Sequence, residues 1–234
     1  MSTMSFIYSQ LFVRPPTPTH DFGGQTIIVT GANTGLGFQA AKYFVQLNAT
    51  KVIMGVRSIT KGLAAKEQIE ESTNTKGIID VYHLDMEHYT SVKDFATQVA
   101  RLSRVDAVIL NASIVTQDFI LAEKNESTIT VNVVSTILLA MLLLRTLQSS
   151  ARRWSTCPRL HIVASDRHIM TNLPEWKTAN TFDTLNDPNH ASMHERGALS
   201  KFIRSPEGEQ AEKKVWKELT EKLDNIEPQI SATV

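Results

Sequence analysis

The sequence predicts an α/β fold in which a doubly wound parallel sheet of about five strands is covered by helices on both faces. Short apolar runs of buried-strand type alternate along the chain with segments whose apolar residues repeat at helical spacing. A glycine-rich turn follows the first of these strands. Strict alternation of strands and helices implies a parallel sheet, because each crossover helix returns the chain to the same end of the sheet.

Five segments have the composition of buried strands. Each is five or six residues long, is rich in apolar residues and lies between segments of turn or helix character. The predicted strands are Thr26–Thr30, Lys51–Val56, Ile78–His83, Asp106–Leu110 and Leu160–Ala164. No strand is predicted after the fifth, although a complete fold of this type needs at least one more.

Five amphipathic segments complete the pattern. They cover approximately residues 36–47, 60–71, 91–102, 124–148 and 205–224. Ser91 with Asp94 resembles a capping box at the start of the third segment. Ser205 and Pro206 suit the N-cap and first turn of the last one. We expect this C-terminal amphipathic helix to lie over the open edge of the sheet beside the fifth strand, since bare edges favour aggregation.

Bulk composition narrows the classes of partner. The 234 residues suit one domain, and 24 basic residues balance 24 acidic ones, so nucleic acid and an anionic membrane surface are not expected partners. The longest apolar run, Ile137 to Leu144, is too short to span a bilayer and predicts a buried helix. The only cysteine, Cys157, excludes a disulfide within the chain. With no secretory signal pattern, we expect a cytoplasmic protein.

The turn over residues 30–37 is the strongest local motif, and it reads Thr-Gly-Ala-Asn-Thr-Gly-Leu-Gly. Glycines between a strand and a helix let the backbone approach a pyrophosphate, and the first N–H groups of the helix then face the anion. An ordinary glycine-rich turn is the alternative interpretation. The candidate cofactor-binding residues of this turn are Gly31, Asn33, Gly35, Leu36 and Gly37.

The residue after the second strand indicates which dinucleotide is bound. An acidic side chain at this position would bind the ribose 2′-hydroxyl of NAD. The sequence has Arg57 there, with Lys61 nearby, and these cations suit the 2′-phosphate of NADP. A solvated surface charge is the alternative interpretation of Arg57.

These motifs, taken in order, resemble the short-chain dehydrogenase/reductase (SDR) family, in particular its retinol-dehydrogenase-like and fungal secondary-metabolite members. The resemblance covers roughly residues 20–170 and implies a Rossmann-type fold, an NADP cofactor and an alcohol or ketone substrate. It assigns Asp85 to the adenine side, Asn111 to the motif after the fourth strand, Asn132 to the proton relay and Ser165 to catalysis. The remaining matching residues are Arg57, Lys61 and the turn over 30–37.

The resemblance divides the chain into four parts. Residues 1–25 form an extended leader that contains three prolines, and residues 26–165 form the NADP-binding Rossmann domain. Residues 166–204 are an irregular remnant of the substrate region, and residues 205–234 are the C-terminal helix and tail. The predicted fold is therefore C-terminally truncated relative to the family.

The family's catalytic Tyr-x-x-x-Lys segment has no full counterpart in this sequence. Its four tyrosines end at Tyr89. One alignment places Gly197 at the tyrosine position and keeps Lys201 as the lysine. In the preferred alignment, Ser200–Ser205 already belongs to the far C-terminal end of the family, and the intervening part is missing. An internal deletion or a mis-spliced gene model would produce this pattern.

Several residues keep an alternative interpretation. Asp85 could cap the loop after a strand, Asn132 could be a satisfied core amide, and Ser165 could be a helix N-cap. His161 is expected to be a packed strand side chain. His168 could in principle replace the missing acid–base group. Because the histidines show no ligand spacing with the single cysteine, no metal site is expected.

Three hypotheses about this protein follow from its sequence. The first is an NADP-dependent oxidoreductase that acts on a small alcohol or ketone, plausible in secondary-metabolite biosynthesis by family analogy. The second is a non-catalytic relative that binds NADP(H). The third is a truncated product that does not fold stably. Family members often pair through their long helices, so a homo-oligomer is possible.

Overall fold

The computed structural model describes residue 8 and residues 11–13, 17–164, 173–189 and 206–233, with the backbone alone over residues 206–209. Five strands form the main sheet: β1 (Thr26–Thr30), β2 (Lys51–Val56), β3 (Ile79–His83), β4 (Ala107–Leu110) and β7 (Arg159–Ile162). A separate antiparallel pair consists of β5 (Leu121–Ala122) and β6 (Asn125–Glu126). The five predicted strands are confirmed, with boundaries within two residues.

Helices connect these strands. They are α1 (Gly35–Gln46), α2 (Ile59–Thr73), α3 (Tyr89–Ala100), α4 (Ser127–Trp154), α5 (Thr181–Leu185) and α6 (Pro206–Ile226). Two short 3₁₀ helices cover Pro174–Lys177 and Ile230–Thr233. Residues 166–204 were expected to be irregular, and α5 with the first 3₁₀ helix corrects that for the described part of this stretch.

The sheet is parallel throughout, and its strand order is β3-β2-β1-β4-β7. From β1 the chain first builds outward to β2 and β3, and then returns to place β4 on the other side of β1. The order therefore reverses between β1 and β4, where ligands of open α/β sheets bind beyond the carboxyl ends of the strands. The predicted doubly wound Rossmann-type fold is confirmed.

Each face of the sheet has its own hydrophobic core, because successive strand residues point to opposite faces. Ile27 and Val29 pack on the face covered by α1 and α2. Ile28 and Val108 pack on the opposite face, against α3 and α4. Burial on both faces explains why β1 and β2 consist of almost uninterrupted apolar runs.

The long helix α4 begins at Ser127 rather than near residue 124, because Asn125 and Glu126 pair with β5. The fully buried Glu126 carboxylate caps the helix by accepting hydrogen bonds from the N–H groups of Thr128 and Ile129. The helix is long and apolar enough to cross a membrane by length and composition. However, 72% of its most apolar window is buried inside the domain, as in a core helix. The expectation of a buried helix at Ile137 to Leu144 is therefore confirmed.

The capping box predicted for α3 is wrong. The N-cap is His88, whose side chain makes no capping hydrogen bond. Ser91 is the third residue of the helix, and its hydroxyl accepts a hydrogen bond from the Asp85 N–H at 2.9 Å. The serine ties the end of β3 to the helix instead of closing the helix terminus.

The C-terminal helix packs elsewhere than expected. Leu219 and Leu223 of α6 join the core formed by α3 and α4. Just beyond the helix, Glu227 pairs with Lys93 of α3 at 2.9 Å. Among the described residues, strand β7 forms the edge of the sheet, and Ile162 is 44% exposed. The expectation that α6 covers this edge is wrong, because its apolar face is buried against the helical layer instead.

His161 was also expected to pack inside, and this expectation is wrong. The residue is exposed on β7, paired with Ile109 of β4. It lines a cavity of about 540 Å³ together with Phe22, Phe44 and Ile109.

Candidate functional site

The glycine turn after β1 has the backbone shape that a close approach to an anion requires. Gly31 and Gly35 both adopt positive φ angles, of 65° and 58°. Thr34 precedes α1 in an extended conformation, and its side chain makes no capping hydrogen bond. The first N–H groups of a helix have no partner within the helix, so they are available to an anion at this end of α1.

Gly37 is required for packing within the turn. A Cβ atom at this position would lie 2.5 Å from both the Gly31 carbonyl oxygen and the Asn111 Nδ2 atom. A Cβ at Gly35, by contrast, would have no heavy atom within 4 Å. The third glycine therefore lets the helix sit close to the turn, whereas the middle one borders open space.

Two polar side chains fasten this turn to the end of β4. The buried Thr30 hydroxyl accepts hydrogen bonds from the N–H groups of Asn111 and Ala112, both at 3.0 Å. In return, Asn111 Nδ2 donates to the Thr30 carbonyl at 3.0 Å and lies 3.4 Å from the Gly31 carbonyl. Asn111, predicted to bind the cofactor, thus also fixes the position of the turn.

A cavity of about 460 Å³ lies at the point where the strand order reverses. It brings together six of the predicted cofactor-binding residues from the ends of four strands or their following turns. These residues are Gly31, Asn33, Leu36, Arg57, Asp85 and Asn111. Leu36 is 77% exposed although it is apolar. An exposed leucine at the rim of a cavity is available to contact a ligand.

Arg57 and Glu87 meet at the outer end of this cavity. Arg57 follows β2 and Glu87 lies in the loop after β3, and these two strands are neighbours in the sheet. The Arg57 Nη1 atom lies 3.5 Å from the Glu87 Oε2 atom, and the two side chains are 65% and 33% exposed. The cation that the sequence singled out therefore has a carboxylate beside it.

Asn132 lies on α4 within a stretch of π-helix, Thr130–Ser135. Its Oδ1 atom accepts from the Ile114 N–H at 2.9 Å, and its Nδ2 atom donates to the Ile114 carbonyl at 2.8 Å. Both polar atoms of the side chain thus hold the loop after β4, which lines the cavity at Ile114. A π-turn inside a helix often marks a functional site.

The other predicted site residues are placed as follows. Gly35 and Gly37 belong to the first turn of α1, next to the cavity lining. Lys61 is exposed in the first turn of α2 and does not appear in the cavity lining. Ser165 and Lys201 lie outside the described residues, as does His168.

Nine further residues line the cavity without having been predicted as site residues, although several of them stand in the matching motifs. They are Thr34, Gly55, Leu84, Met86, Glu87, Ala112, Ser113, Ile114 and Val131. Glu87 is the charged residue among these nine. Its position two residues after Asp85, past the end of a strand beside β2, was the signal that could have identified it.

Comparison with known families decides the assignment. The family model described as short chain dehydrogenase matches residues 25–154, which is more than half of the chain. The chain belongs to this family. The predicted membership of the short-chain dehydrogenase family is thereby confirmed. Short-chain dehydrogenases bind a nicotinamide cofactor and act on small molecules.

Curated relatives extend the match beyond the family model. The short-chain dehydrogenase anuD of Penicillium roqueforti is 52% identical over 203 residues, which cover 87% of this chain and 53% of that protein. The short chain dehydrogenase atnD of Emericella nidulans is 41% identical over 205 residues, covering 87% of this chain and 65% of that protein. The chain therefore spans about half to two thirds of the length of these relatives.

Solved structures share the fold. A protein from Mycobacterium paratuberculosis is 27% identical, with a TM-score of 0.55 over 79% of this chain and 59% of that one. A short chain dehydrogenase from Escherichia coli CFT073, solved in complex with NADPH, is 25% identical. Its TM-score is 0.53, over 66% of this chain and 63% of that one.

The residues of this short-chain dehydrogenase fit a dinucleotide. The open space at Gly35 and the uncapped first turn of α1 leave room and N–H donors for a pyrophosphate. Arg57 is a cation that can form paired hydrogen bonds with a phosphate. Asp85 uses its Oδ1 atom to accept from the Glu87 N–H at 3.0 Å. This contact supports its alternative role of ordering the loop, while the residue still lines the cavity.

Proposed function

We propose that this chain binds NADP(H), with the pyrophosphate at the turn over residues 31–37 and the adenosine 2′-phosphate at Arg57. The observation that carries the proposal is that the glycine turn and Arg57 line one cavity at the reversal of strand order. The two features belong to separate sequence motifs, and binding of a single dinucleotide requires that both lie at the carboxyl ends of the strands.

Two further observations support NADP(H) over NAD(H). The residue directly after β2 is Arg57, at a position where an acidic side chain would favour a 2′-hydroxyl. The Escherichia coli neighbour was solved with NADPH bound. The whole charge difference between the two cofactors is on the 2′ position, so a cation there favours NADP(H).

We further propose that the whole protein acts on an alcohol or ketone in secondary-metabolite biosynthesis, as a cytoplasmic enzyme. A bound NADP(H) would supply the hydride chemistry. Within the described residues, Asn132 holds the loop at Ile114 in place beside the cavity. Ser165 and Asn132 remain the predicted catalytic side chains, and Lys201 joins them only in the alignment that places Gly197 at the tyrosine position.

A non-catalytic NADP(H)-binding protein is the second candidate, and one observation favours it. The family's proton-transferring tyrosine should follow Ser165, yet no tyrosine occurs after Tyr89 in the sequence. Loss of an acid–base group costs about 10²- to 10⁴-fold in rate. Under this proposal nucleotide binding persists, because every residue assigned to the adenosine and pyrophosphate moieties precedes residue 112.

The test is a fluorescence titration of the purified chain with NADPH and with NADH. Arg57→Ala should weaken NADPH binding by about 10- to 100-fold, since a hydrogen-bonded charge pair is lost, and change NADH binding little. Arg153→Ala, which removes an exposed arginine at the far end of α4, is the matched control. Absence of saturable binding by the unaltered, folded chain would contradict the proposal.

Turnover separates the two candidates. The same preparation is offered a panel of ketones with NADPH and alcohols with NADP. Nucleotide binding with oxidation or reduction supports the enzyme, and nucleotide binding without turnover supports the non-catalytic protein. Precipitation of the purified chain would support the truncated product that does not fold stably.

A further inference from the structure

A carboxylate stands beside the arginine that is assigned to the 2′-phosphate. Glu87 lines the same cavity as Arg57, and their closest charged atoms are 3.5 Å apart. The Glu87 N–H donates to Asp85 Oδ1 at 3.0 Å, so the backbone that carries this carboxylate is anchored to the end of β3. The pair is therefore part of a built loop at the rim of the cavity.

The two side chains have opposite preferences for the ribose 2′ position. A guanidinium pairs with a phosphate dianion, whereas a carboxylate accepts a hydrogen bond from a ribose hydroxyl and repels a phosphate. Because the Arg57 and Glu87 charged atoms are 3.5 Å apart, a ligand group that contacts Arg57 also interacts electrostatically with the Glu87 carboxylate. A 2′-phosphate must therefore compete with Glu87 for the guanidinium, while a 2′-hydroxyl does not.

We propose that Glu87 is a specificity-determining residue that lowers the preference of this site for NADP(H) over NAD(H) by holding Arg57 and repelling the 2′-phosphate. This inference rests on the proposed function and adds to it a residue that limits the discrimination. Both side chains are partly exposed, so their interaction is weakened by solvent and salt, and a moderate effect is expected.

The experiment compares the affinities of the unaltered chain and of Glu87→Gln for NADPH and NADH. The amide keeps the size of the side chain and removes its charge. The ratio of NADPH to NADH affinity should rise about three- to tenfold in Glu87→Gln, mainly through tighter NADPH binding. Glu221→Gln is the matched control, since it removes a carboxylate from an exposed ion pair with Lys217 on α6.

A second ligand pair gives a readout that does not depend on nicotinamide. Adenosine 2′,5′-bisphosphate and adenosine 5′-monophosphate differ in the 2′-phosphate, and calorimetry should show the same rise in their affinity ratio. Glu87→Ala, which also lacks the charge, should behave like Glu87→Gln and guards against an effect peculiar to the amide.

The outcomes separate the inference from the proposed function. If the unaltered chain binds NADPH, Arg57→Ala weakens that binding and Glu87→Gln leaves the ratio unchanged or lowered, the inference is wrong and the proposed function stands. If the folded, unaltered chain binds neither nucleotide, the proposed function is wrong and the inference is overturned with it.

Discussion

The side chain of Thr30 and the backbone of Asn111 join two parallel strands beside the candidate cofactor cavity. The Thr30 hydroxyl accepts from the Asn111 N–H at 3.0 Å, and Asn111 Nδ2 donates back to the Thr30 carbonyl at the same distance. These residues end β1 and follow β4, so the contact fixes the glycine turn against the next strand. The geometry of the phosphate turn thus depends on contacts that are distant in sequence.

Removing the Thr30 hydroxyl should destabilise the fold. Thr30→Val keeps the shape but leaves the partly buried N–H groups of Asn111 and Ala112 without their acceptor. The free energy of unfolding should fall by about 1–3 kcal/mol. Urea denaturation measures it, with Thr97→Val as control, because the Thr97 hydroxyl is exposed on α3. Equal stability of the two variants would show that the Asn111 and Ala112 N–H groups find other partners.

The glycines of the turn should respond differently to alanine. In Gly37→Ala the added methyl group would collide with the Gly31 carbonyl and the Asn111 amide, so the fold should lose about 1–3 kcal/mol or more. Gly35→Ala meets no such contact and pays only for its positive φ angle, about 1–2 kcal/mol.

Nucleotide binding gives a further test of Gly35→Ala. Gly35→Ala should remain folded, as judged by circular dichroism, yet bind NADPH more weakly, because the methyl group projects into the open space beside the first turn of α1. Wild-type NADPH affinity in a folded Gly35→Ala variant would argue against a pyrophosphate at this turn.

Tyr89 should make stability sensitive to alkaline pH. Burial, followed by the nearby charge of Glu123, raises the pKa of the Tyr89 hydroxyl from 10.0 to about 12. The folded state therefore favours the neutral phenol, and this contribution to stability is complete below pH 10 and is lost as pH rises through 12.

The Tyr89 prediction is checked by comparison with Tyr89→Phe. The difference between their ultraviolet titrations should show one tyrosine that ionises near pH 12. Between pH 10 and 12 the unaltered chain should also lose stability more steeply than the variant, which has no phenol at position 89 to ionise. A single tyrosine ionising near pH 10 in the difference titration would refute the assigned burial effect.

The edge strand β7 should promote self-association. In the part of the chain that the structure describes, Ile162 is 44% exposed on the outermost strand, and an edge with apolar side chains is a template for another strand. Ile162→Lys should reduce light scattering of concentrated protein on mild heating. Leu63→Lys is the matched control, because Leu63 is 48% exposed but lies on α2. If both variants scatter alike, the edge is not the site of association.

The strands and the cofactor turn were predictable because their signals are local. A buried parallel strand requires an apolar run, as in Thr26–Thr30 and Lys51–Val56, and a phosphate turn requires glycines between strand and helix. These requirements concern neighbouring residues, so they can be recognised directly from the sequence. The same holds for Arg57, whose position follows from counting to the end of β2.

Local signals failed where several partners compete for one residue. Ser91 has the sequence of a helix cap, but its hydroxyl bonds to the end of β3 instead. The apolar face of α6 was predictable, but its choice between the sheet edge and the layer of α3 and α4 was not. A hydrophobic stripe specifies burial and does not specify the surface that buries it.

The sequence by itself therefore determined the order of the strands and helices, the glycine turn and the type of cofactor to be tested. Only the tertiary structure decided that Glu87 faces Arg57, that Asn132 holds Ile114 and that β7 is left exposed. The physical reason is distance along the chain. Contacts between residues that are 18 or 30 positions apart depend on how whole strands and helices pack, and no local pattern records that packing.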